Sequence, residues 1–431
     1  MKKFISLLGI LAILLCCFVI PVAALEKSDI EISARHALLV NLDTDTVVYE
    51  NDGYSQCYPA SLTKIMTAIV ALENTEDLDA VEITARAALF KEFEGVPIST
   101  ANIKSGETFS MRELLYALML NSACEAANII ADHVGGGSIA AFIDMMNRKA
   151  TELGAVNTHF SNPHGLFDEQ NYSTAYDMYL ITDYALSLPD FLPIACAKTY
   201  TIEGNSNRGE KRLVHTNRML FSTDAQFGKY YMPQVKGIKT GTLSAAGRCL
   251  ITYAEHNGCR YICVVIGGDY SDSASRYKTT YNLYNWAFEN LTLKTLAEDT
   301  VPIAQVKVNF AKDEDVVSVR PGRSVTGIVE TDLDPTDIVL TTDLPSSVDA
   351  PIKAGDILGN CVITVKGKEV ATVELIAMQD IAEQSALVTV ANAVFSHPLV
   401  WVILVGIVGL FILSAIAKAK HKRRRRRRRL Y

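Results

Sequence analysis

Apolar residues recur along this chain with two different periods. From Ala34 the text reads ARHALLVNLDTDTVVYENDG, in which two apolar, β-branched runs flank Asp43, Thr44 and Asp45; this predicts a β-hairpin. The period changes at Cys57. After a turn-like Tyr58-Pro59, apolar positions at Leu62, Ile65, Met66, Ile69 and Val70 mark one face of a helix. From about Thr84 to Leu186 the pattern stays mostly helical. SMRELLYALMLNSACEAANIIADHVG carries a sustained helical period that stops at Gly135-Gly136-Gly137, and SIAAFIDMMNRKATELG predicts a second helix, capped by Ser138 and ended by Gly154. Strand-like runs return after about Lys198 as KTYTIEG, VKGIKTGTLSAAGRCLITYAEHNG and RYICVVIGGD, and SRYKTTYNLYNWAFENL predicts a closing helix. Strands, helices, strands and a last helix predict an α+β domain. Its antiparallel sheet gathers early and late strands around a helical insertion.

Past Lys294 the composition shifts to Val, Ile, Thr and Asp, with turn signals at Pro321-Gly322, Asp334-Pro335 and Lys366-Gly367. Short alternating strands at this spacing predict a small β-sandwich over 295–386. The chain ends read differently. Lys2 and Lys3 precede the apolar run Phe4 to Ile20 and then Val22-Ala23-Ala24, which predicts a signal peptide over 1–24 and a mature chain from Leu25. After a linker over 387–397, residues 398–417 carry no charge. They match the roughly 20 apolar residues a helix needs to cross hydrocarbon. The tail 418–431 holds Lys418, Lys420, Lys422 and Arg423 to Arg429. It predicts a cluster retained in the cytoplasm, within reach of anionic lipid headgroups.

Charge and cysteine content narrow the function classes. Lys2, Lys3 and the ten basic residues of the tail account for 12 of the 41 Lys and Arg, so the body carries about 29 bases against 48 acids, a net charge near −19. Such a body is a poor nucleic-acid binder, and its acidity serves solubility. Of nine cysteines, two lie in the signal segment, and none of the other seven forms a Cys-x-x-Cys pair. No zinc or redox motif is therefore present, and no obligatory disulfide framework is expected. Cys249, Cys259 and Cys263 sit in apolar strand-like runs, where cysteine serves as a small buried side chain.

Three short motifs carry candidate chemistry. Ser61 and Lys64 are neighbours on the face of one helix. A serine hydroxyl becomes a useful nucleophile only when a base takes its proton. A neutral lysine amine can be that base if burial or a second cation disfavours its charge, each pKa unit being worth about 1.4 kcal/mol. Backbone N–H groups left unpaired in a first helical turn can hold a developing oxyanion. Ser122-Ala123-Cys124 lies in the helical stretch, and Lys239-Thr240-Gly241-Thr242 lies in a strand-like run. Singly, each is compatible with ordinary structure: a surface helix, a core hydroxyl, a turn.

Together and in this order they resemble the penicillin-recognising serine enzymes, and most closely the low-molecular-weight penicillin-binding proteins of the D-alanyl-D-alanine carboxypeptidase family, peptidase family S11. The resemblance rests on YPASLTKIMTA, LMLNSACEAAN, FSNPHGL with YSTAYDM, GIKTGTLSAAGRCL, and VVIGG followed by SRYKTTYNLYNWAF. It implies a penicillin-binding transpeptidase-like domain over 25–294, an antiparallel sheet with a helical subdomain. It implies Ser61 as the acylated nucleophile, Lys64 as its general base, and Ser122 as a relay to the leaving group. Lys239, Thr240, Gly241 and Thr242 would line the substrate-carboxylate site, and Arg276 matches an arginine that assists there. The oxyanion hole would be the backbone N–H groups of Ser61 and Thr242. Cys124 stands where the family usually has an asparagine that contacts the acyl side of the substrate. A thiol donates and accepts only weakly, which bears on efficiency and acyl donor. The implied partners are peptidoglycan stem peptides ending in D-Ala-D-Ala, β-lactam antibiotics and membrane lipid, with the catalytic domain outside the membrane. No metal or cofactor is called for.

Three rival readings share parts of this pattern. A β-lactamase would need a carboxylate base for fast deacylation, and no Glu-x-x-Leu-Asn element lies between Cys124 and Lys239. A D,D-transpeptidase or endopeptidase would use the same residues with a different acceptor or donor. A non-catalytic scaffold would bind penicillin and use the β-rich domain to organise other wall proteins.

Overall fold

The expected hairpin is formed by β1 (Ala34–Asn41) and β2 (Thr46–Asn51), which pair antiparallel around the Asp43 turn. This computed structural model describes residues 30–385, 388, 390 and 395–427, so the signal peptide expected over 1–24 lies outside the described residues. Three late strands complete the sheet: β3 (Val235–Leu243), β4 (Gly247–His256) and β5 (Cys259–Gly268). Their order is β2-β1-β5-β4-β3, antiparallel throughout, and Leu38 of β1 lies opposite Val264 of β5. Early and late parts of the chain thus share one sheet, as the element order predicts.

Both faces of that sheet are buried, which explains why its strands read as unbroken apolar runs rather than an apolar and polar alternation. Successive side chains on a strand point to opposite faces. Leu38, Val40, Ile262 and Val264 pack with the helical insertion, whereas Ala37, Leu39, Cys263 and Val265 pack with Tyr277, Leu283 and Tyr284 of the closing helix, Ser275–Asn290. In the insertion, α1 (Lys64–Glu73) is buried at every position from Lys64 to Ala71. It is a central helix, and its apolar pattern is correspondingly wide.

The long helical run beginning at Ser110 is two helices, α2 (Met111–Leu120) and α3 (Cys124–Val134). Ser110 and Glu113 form a reciprocal cap at the start of α2. The break falls at Asn121-Ser122-Ala123, where Ser122 adopts a left-handed φ of 59°. Asn121 Oδ1 accepts the Val214 N–H at 3.0 Å and the Ala123 N–H returns to the Ala117 carbonyl at 3.1 Å. The apolar residues on either side keep the helical period, so periodicity alone passes over the break. The helix α4 (Ile139–Glu152) starts and stops as expected: Ser138 Oγ accepts the Ala141 N–H, and Gly154 follows the last turn at φ 77°.

The chain divides into two compact units. The first runs to Lys294 and also includes Gly327–Leu333; the second holds Thr295–Thr326 and continues from Asp334. The second unit contains a six-stranded sheet in the order Ile338–Asp343, Ile357–Val365, Lys368–Ala377, Val316–Pro321, Ala304–Asn309 and Ser347–Asp349, antiparallel except for its last pair. The Lys366-Gly367 turn joins two of these strands as read from the sequence. Val306, Val308, Val317, Val319, Ile363 and Leu375 are buried. Among the described residues one unbroken helix, Pro398–Arg427, is long and apolar enough to cross a membrane.

Candidate active site

The chain enters the site through Cys57, whose backbone exchanges two hydrogen bonds with Ser173, at 2.7 and 2.9 Å. Pro59 and Ala60 follow, and Ala60 takes a left-handed φ of 50°. For a residue with a Cβ this conformation is strained and persists only where the surroundings impose it. Ser61 then sits in the 3₁₀ turn Ala60–Thr63 that leads into α1, rather than in the first turn of α1 itself. The spacing of three residues survives, because a 3₁₀ turn eclipses i and i+3.

Lys64 is wholly buried, and its Nζ has three neighbours. It lies 3.2 Å from Ser61 Oγ, 2.5 Å from the His164 carbonyl oxygen and 3.6 Å from Cys124 Sγ. A neutral amine has two N–H donors and one lone pair. The carbonyl and the sulfur use the donors, which leaves the lone pair for the Ser61 hydroxyl. Burial pushes the Lys64 amine below its ordinary range, opposed by Cys124 and Glu125. Burial is the largest cause for Lys64 and for Lys239 alike, and the two amines, as cations, would repel one another.

Lys239 is equally buried, with Nζ 3.0 Å from the Thr240 carbonyl. Burial drives its amine well below the ordinary range, Lys64 and Arg276 adding to this and Cys124 opposing it. An arriving carboxylate would reverse that shift, since an opposite charge favours the ammonium. Gly241 explains how β3 reaches the Ser61 turn. A Cβ there would stand 3.2 Å from Ala60 Cβ and 3.3 Å from the Pro59 carbonyl oxygen, so glycine lets the strand lie against the Ser61 turn. Arg276 Nη1 donates to the carbonyls of Gly241 at 2.9 Å and Cys249 at 3.3 Å, and to Thr242 Oγ1 at 3.0 Å. It therefore ties β3 to β4 at the motif. Thr240 Oγ1 pairs with Thr216 Oγ1 at 2.7 Å. Ser122 Oγ is buried and has no hydrogen-bond partner among the described residues.

The structure thus sets Lys64 against both Ser61 and Cys124 and Gly241 against the Ser61 turn, with Arg276 holding Gly241 and Thr242. Sequence reasoning missed several supporting groups. The His164 carbonyl is the shortest contact of Lys64, and Pro163 accepts from Thr67 Oγ1 at 2.6 Å. Gly165, at φ 78°, passes so close to the Ser61 turn that a Cβ would be 2.0 Å from the Ala60 carbonyl oxygen. The glycine after His164 was the available signal. His215, beside Thr216, is pushed down to about 4 by burial and then by Lys239, and its Nδ1 accepts the Asn217 N–H at 2.9 Å. All seven cysteines among the described residues are free, and Cys249, Cys259 and Cys263 are buried as expected.

A serine hydroxyl against a buried lysine amine, with a second buried lysine on the neighbouring strand of this sheet, defines a serine enzyme on the penicillin-binding transpeptidase fold. Residues 23–270 match the peptidase S11 family, D-alanyl-D-alanine carboxypeptidase, and residues 292–383 match the C-terminal domain of penicillin-binding protein 5. The chain belongs to that family of low-molecular-weight penicillin-binding proteins and is a serine-type D-Ala-D-Ala carboxypeptidase. It is 28% identical to the carboxypeptidase DacF of Bacillus subtilis over 385 residues, 88% of this chain and 95% of that one. It is 31% identical to the carboxypeptidase of Streptomyces sp. K15 over 274 residues, 62% of this chain and 91% of that one. Among solved structures, penicillin-binding protein 5 of Haemophilus influenzae shares the fold, with a TM-score of 0.66 at 24% identity over 83% of this chain and 100% of that one. The Streptomyces K15 DD-transpeptidase superposes with a TM-score of 0.55 at 30% identity over 61% of this chain and 99% of that one.

Proposed function

We propose that this chain removes the terminal D-alanine from peptidoglycan stem pentapeptides through an acyl-enzyme on Ser61. The observation that carries this is the wholly buried Lys64 amine, 3.2 Å from Ser61 Oγ with its other donors engaged. Lys64 takes the hydroxyl proton as Oγ bonds to the carbonyl carbon of the penultimate D-alanine. The backbone N–H groups of Ser61 and Thr242 hold the oxyanion, and Lys239, Thr240 and Thr242 receive the terminal carboxylate. Collapse breaks the C–N bond. Ser122 passes the proton from Lys64 to the departing amine, D-alanine leaves, and water then cleaves the ester and restores Ser61. A β-lactam opens on Ser61 without releasing a fragment and so remains attached. The helix Pro398–Arg427 anchors the enzyme in a membrane, with its catalytic unit outside and its basic residues on the inner, anionic surface.

The test is mass spectrometry on the full chain in detergent. A synthetic pentapeptide ending in D-Ala-D-Ala loses one D-alanine, penicillin stops the loss, and the penicilloyl mass maps to Ser61. Adduct on another residue, or release that penicillin leaves untouched, overturns the reading. The pH profile follows from the same geometry. Below the Lys64 pKa the amine is an ammonium and cannot take a proton, so kcat/KM rises with pH through that value. Burial sets the midpoint below the ordinary 10.5.

A second reading, acyl transfer to an amine, has two observations in its favour. Cys124 rather than an amide stands beside Lys64, and the K15 relative is named both a carboxypeptidase and a DD-transpeptidase. The partition between hydrolysis and transfer, measured with added glycine, decides between them.

A further inference from the structure

Glu92, in the 3₁₀ segment Ala87–Phe93, touches both elements that hold the Lys64 amine. One is α3, which presents Cys124. Asn128 lies one turn further along α3, and its Nδ2 donates to Glu92 Oε1 and, at 3.1 Å, to the Leu89 carbonyl. The other is the His164 loop, whose carbonyl receives the Lys64 N–H. Glu92 Oε2 stands 3.5 Å from His164 Nε2, near enough to attract the ring N–H though beyond a formed hydrogen bond.

The imidazole tautomer is fixed locally. The Leu166 N–H donates to His164 Nδ1 at 3.2 Å, so Nδ1 presents its lone pair and the ring proton resides on Nε2, facing the carboxylate. Burial holds His164 below its ordinary range, opposed by Glu92 and reinforced by Lys64, so the ring that faces Glu92 is neutral. The His164 contact first, and then Asn128, hold the Glu92 carboxyl below its ordinary range against burial. Phe93 packs edge-on against the imidazole, with ring centroids 5.4 Å apart.

We propose that Glu92 is a positioning residue for the Lys64 base: its two carboxylate oxygens tie the His164 loop to α3 and so fix the carbonyl and the sulfur between which the amine is held. This rests on Lys64 acting as the base for Ser61. The groups facing Lys64 are Cys124 and Glu125 from α3, His164 from the loop and Lys239 from β3. Glu92 faces none of the reacting atoms. Its side chain is half exposed, so its removal strands no wholly buried charge.

The experiment follows acylation of the full chain by a fluorescent penicillin across pH, beside thermal unfolding. Glu92→Ala acylates about ten-fold more slowly, as expected when a base is displaced by a fraction of an ångström. Its acid limb moves to higher pH, because water reaching the amine raises the Lys64 pKa. Glu92→Gln recovers only part of the rate, because both neighbours of Glu92 are donors and a glutamine has one carbonyl oxygen to accept from either Asn128 Nδ2 or His164 Nε2. A wild-type rate and limb in Glu92→Ala overturn the proposal, as does a slower rate with an unmoved limb. If Glu92→Ala does not fold, the same two readings on Asn128→Ala decide. Wild-type labelling at Ser61 is established first. Its failure sinks the acyl-enzyme reading, whereas intact labelling with an indifferent Glu92→Ala sinks only this inference.

Discussion

Lys64→Met leaves the chain folded and slows acylation of Ser61 by about 10²–10⁴-fold, the range over which a positioned general base contributes. Methionine nearly matches lysine in length and suits an apolar, wholly buried position. The substitution leaves the His164 carbonyl without its donor, at a cost of about 1–3 kcal/mol. Removing a buried amine that burial already disfavours offsets part of that cost, so the unfolding temperature moves by only a few degrees. Lys64→Arg separates two explanations of the loss. A guanidinium keeps the positive charge and never deprotonates in a protein. If Lys64 merely stabilised negative charge, the arginine variant would retain much of the rate. As the base, it falls as far as methionine. Labelling by a fluorescent penicillin, followed with time, reads both variants. An arginine variant within ten-fold of wild type removes Lys64 from the role of base.

Much of the fold is legible because its determinants are local. The strand runs around Leu38 and Val264 and the serine cap of α4 each announce themselves within a dozen residues, and the strand–helix–strand order leaves few ways to gather them. Ser61 and Lys64 are legible for the same reason, their contact being set by one turn. What the sequence hides is made by contacts distant along the chain. The His164 carbonyl is a backbone atom of the FSNPHGL loop, which names no role for it, and it becomes a lysine ligand only because the loop lies against the Lys64 end of α1. Glu92 and Asn128 belong to no motif with a role of its own, and their pairing needs α3 to end its first turn beside the Ala87–Phe93 segment. The split between α2 and α3 is hidden by its own purpose. A left-handed residue at 122 buries a hydroxyl without disturbing the apolar rhythm on either side.

Arg276 shows the same limit from the opposite direction. The resemblance assigns it to the substrate carboxylate. The structure gives it another task, one nitrogen whose two N–H groups are shared among Gly241, Thr242 and Cys249 across β3 and β4 at the motif itself. A residue that sets the strand edge and a residue that meets the substrate need not be different residues, because the strand edge is where the carboxylate would lie.

Gly165→Ala is expected to reduce acylation by about 10²-fold, although Gly165 contacts no reacting atom. Two effects combine there. The left-handed backbone, φ 78°, costs a Cβ-bearing residue about 1–2 kcal/mol. The new Cβ would also stand 2.0 Å from the Ala60 carbonyl oxygen and 2.6 Å from its carbon, backbone atoms with no rotamer to escape into. Relief requires the Ser61 turn and the His164 loop to separate by about 1 Å, and such a shift at a nucleophile suffices for the stated loss. Gly154→Ala is the control. Gly154 has nearly the same φ, 77°, but no heavy atom within 4 Å of the added Cβ. It lowers the unfolding temperature through the backbone cost alone and leaves acylation at the wild-type rate. Equal acylation by the two variants would show that the approach of Gly165 to Ala60 does not set the position of Ser61.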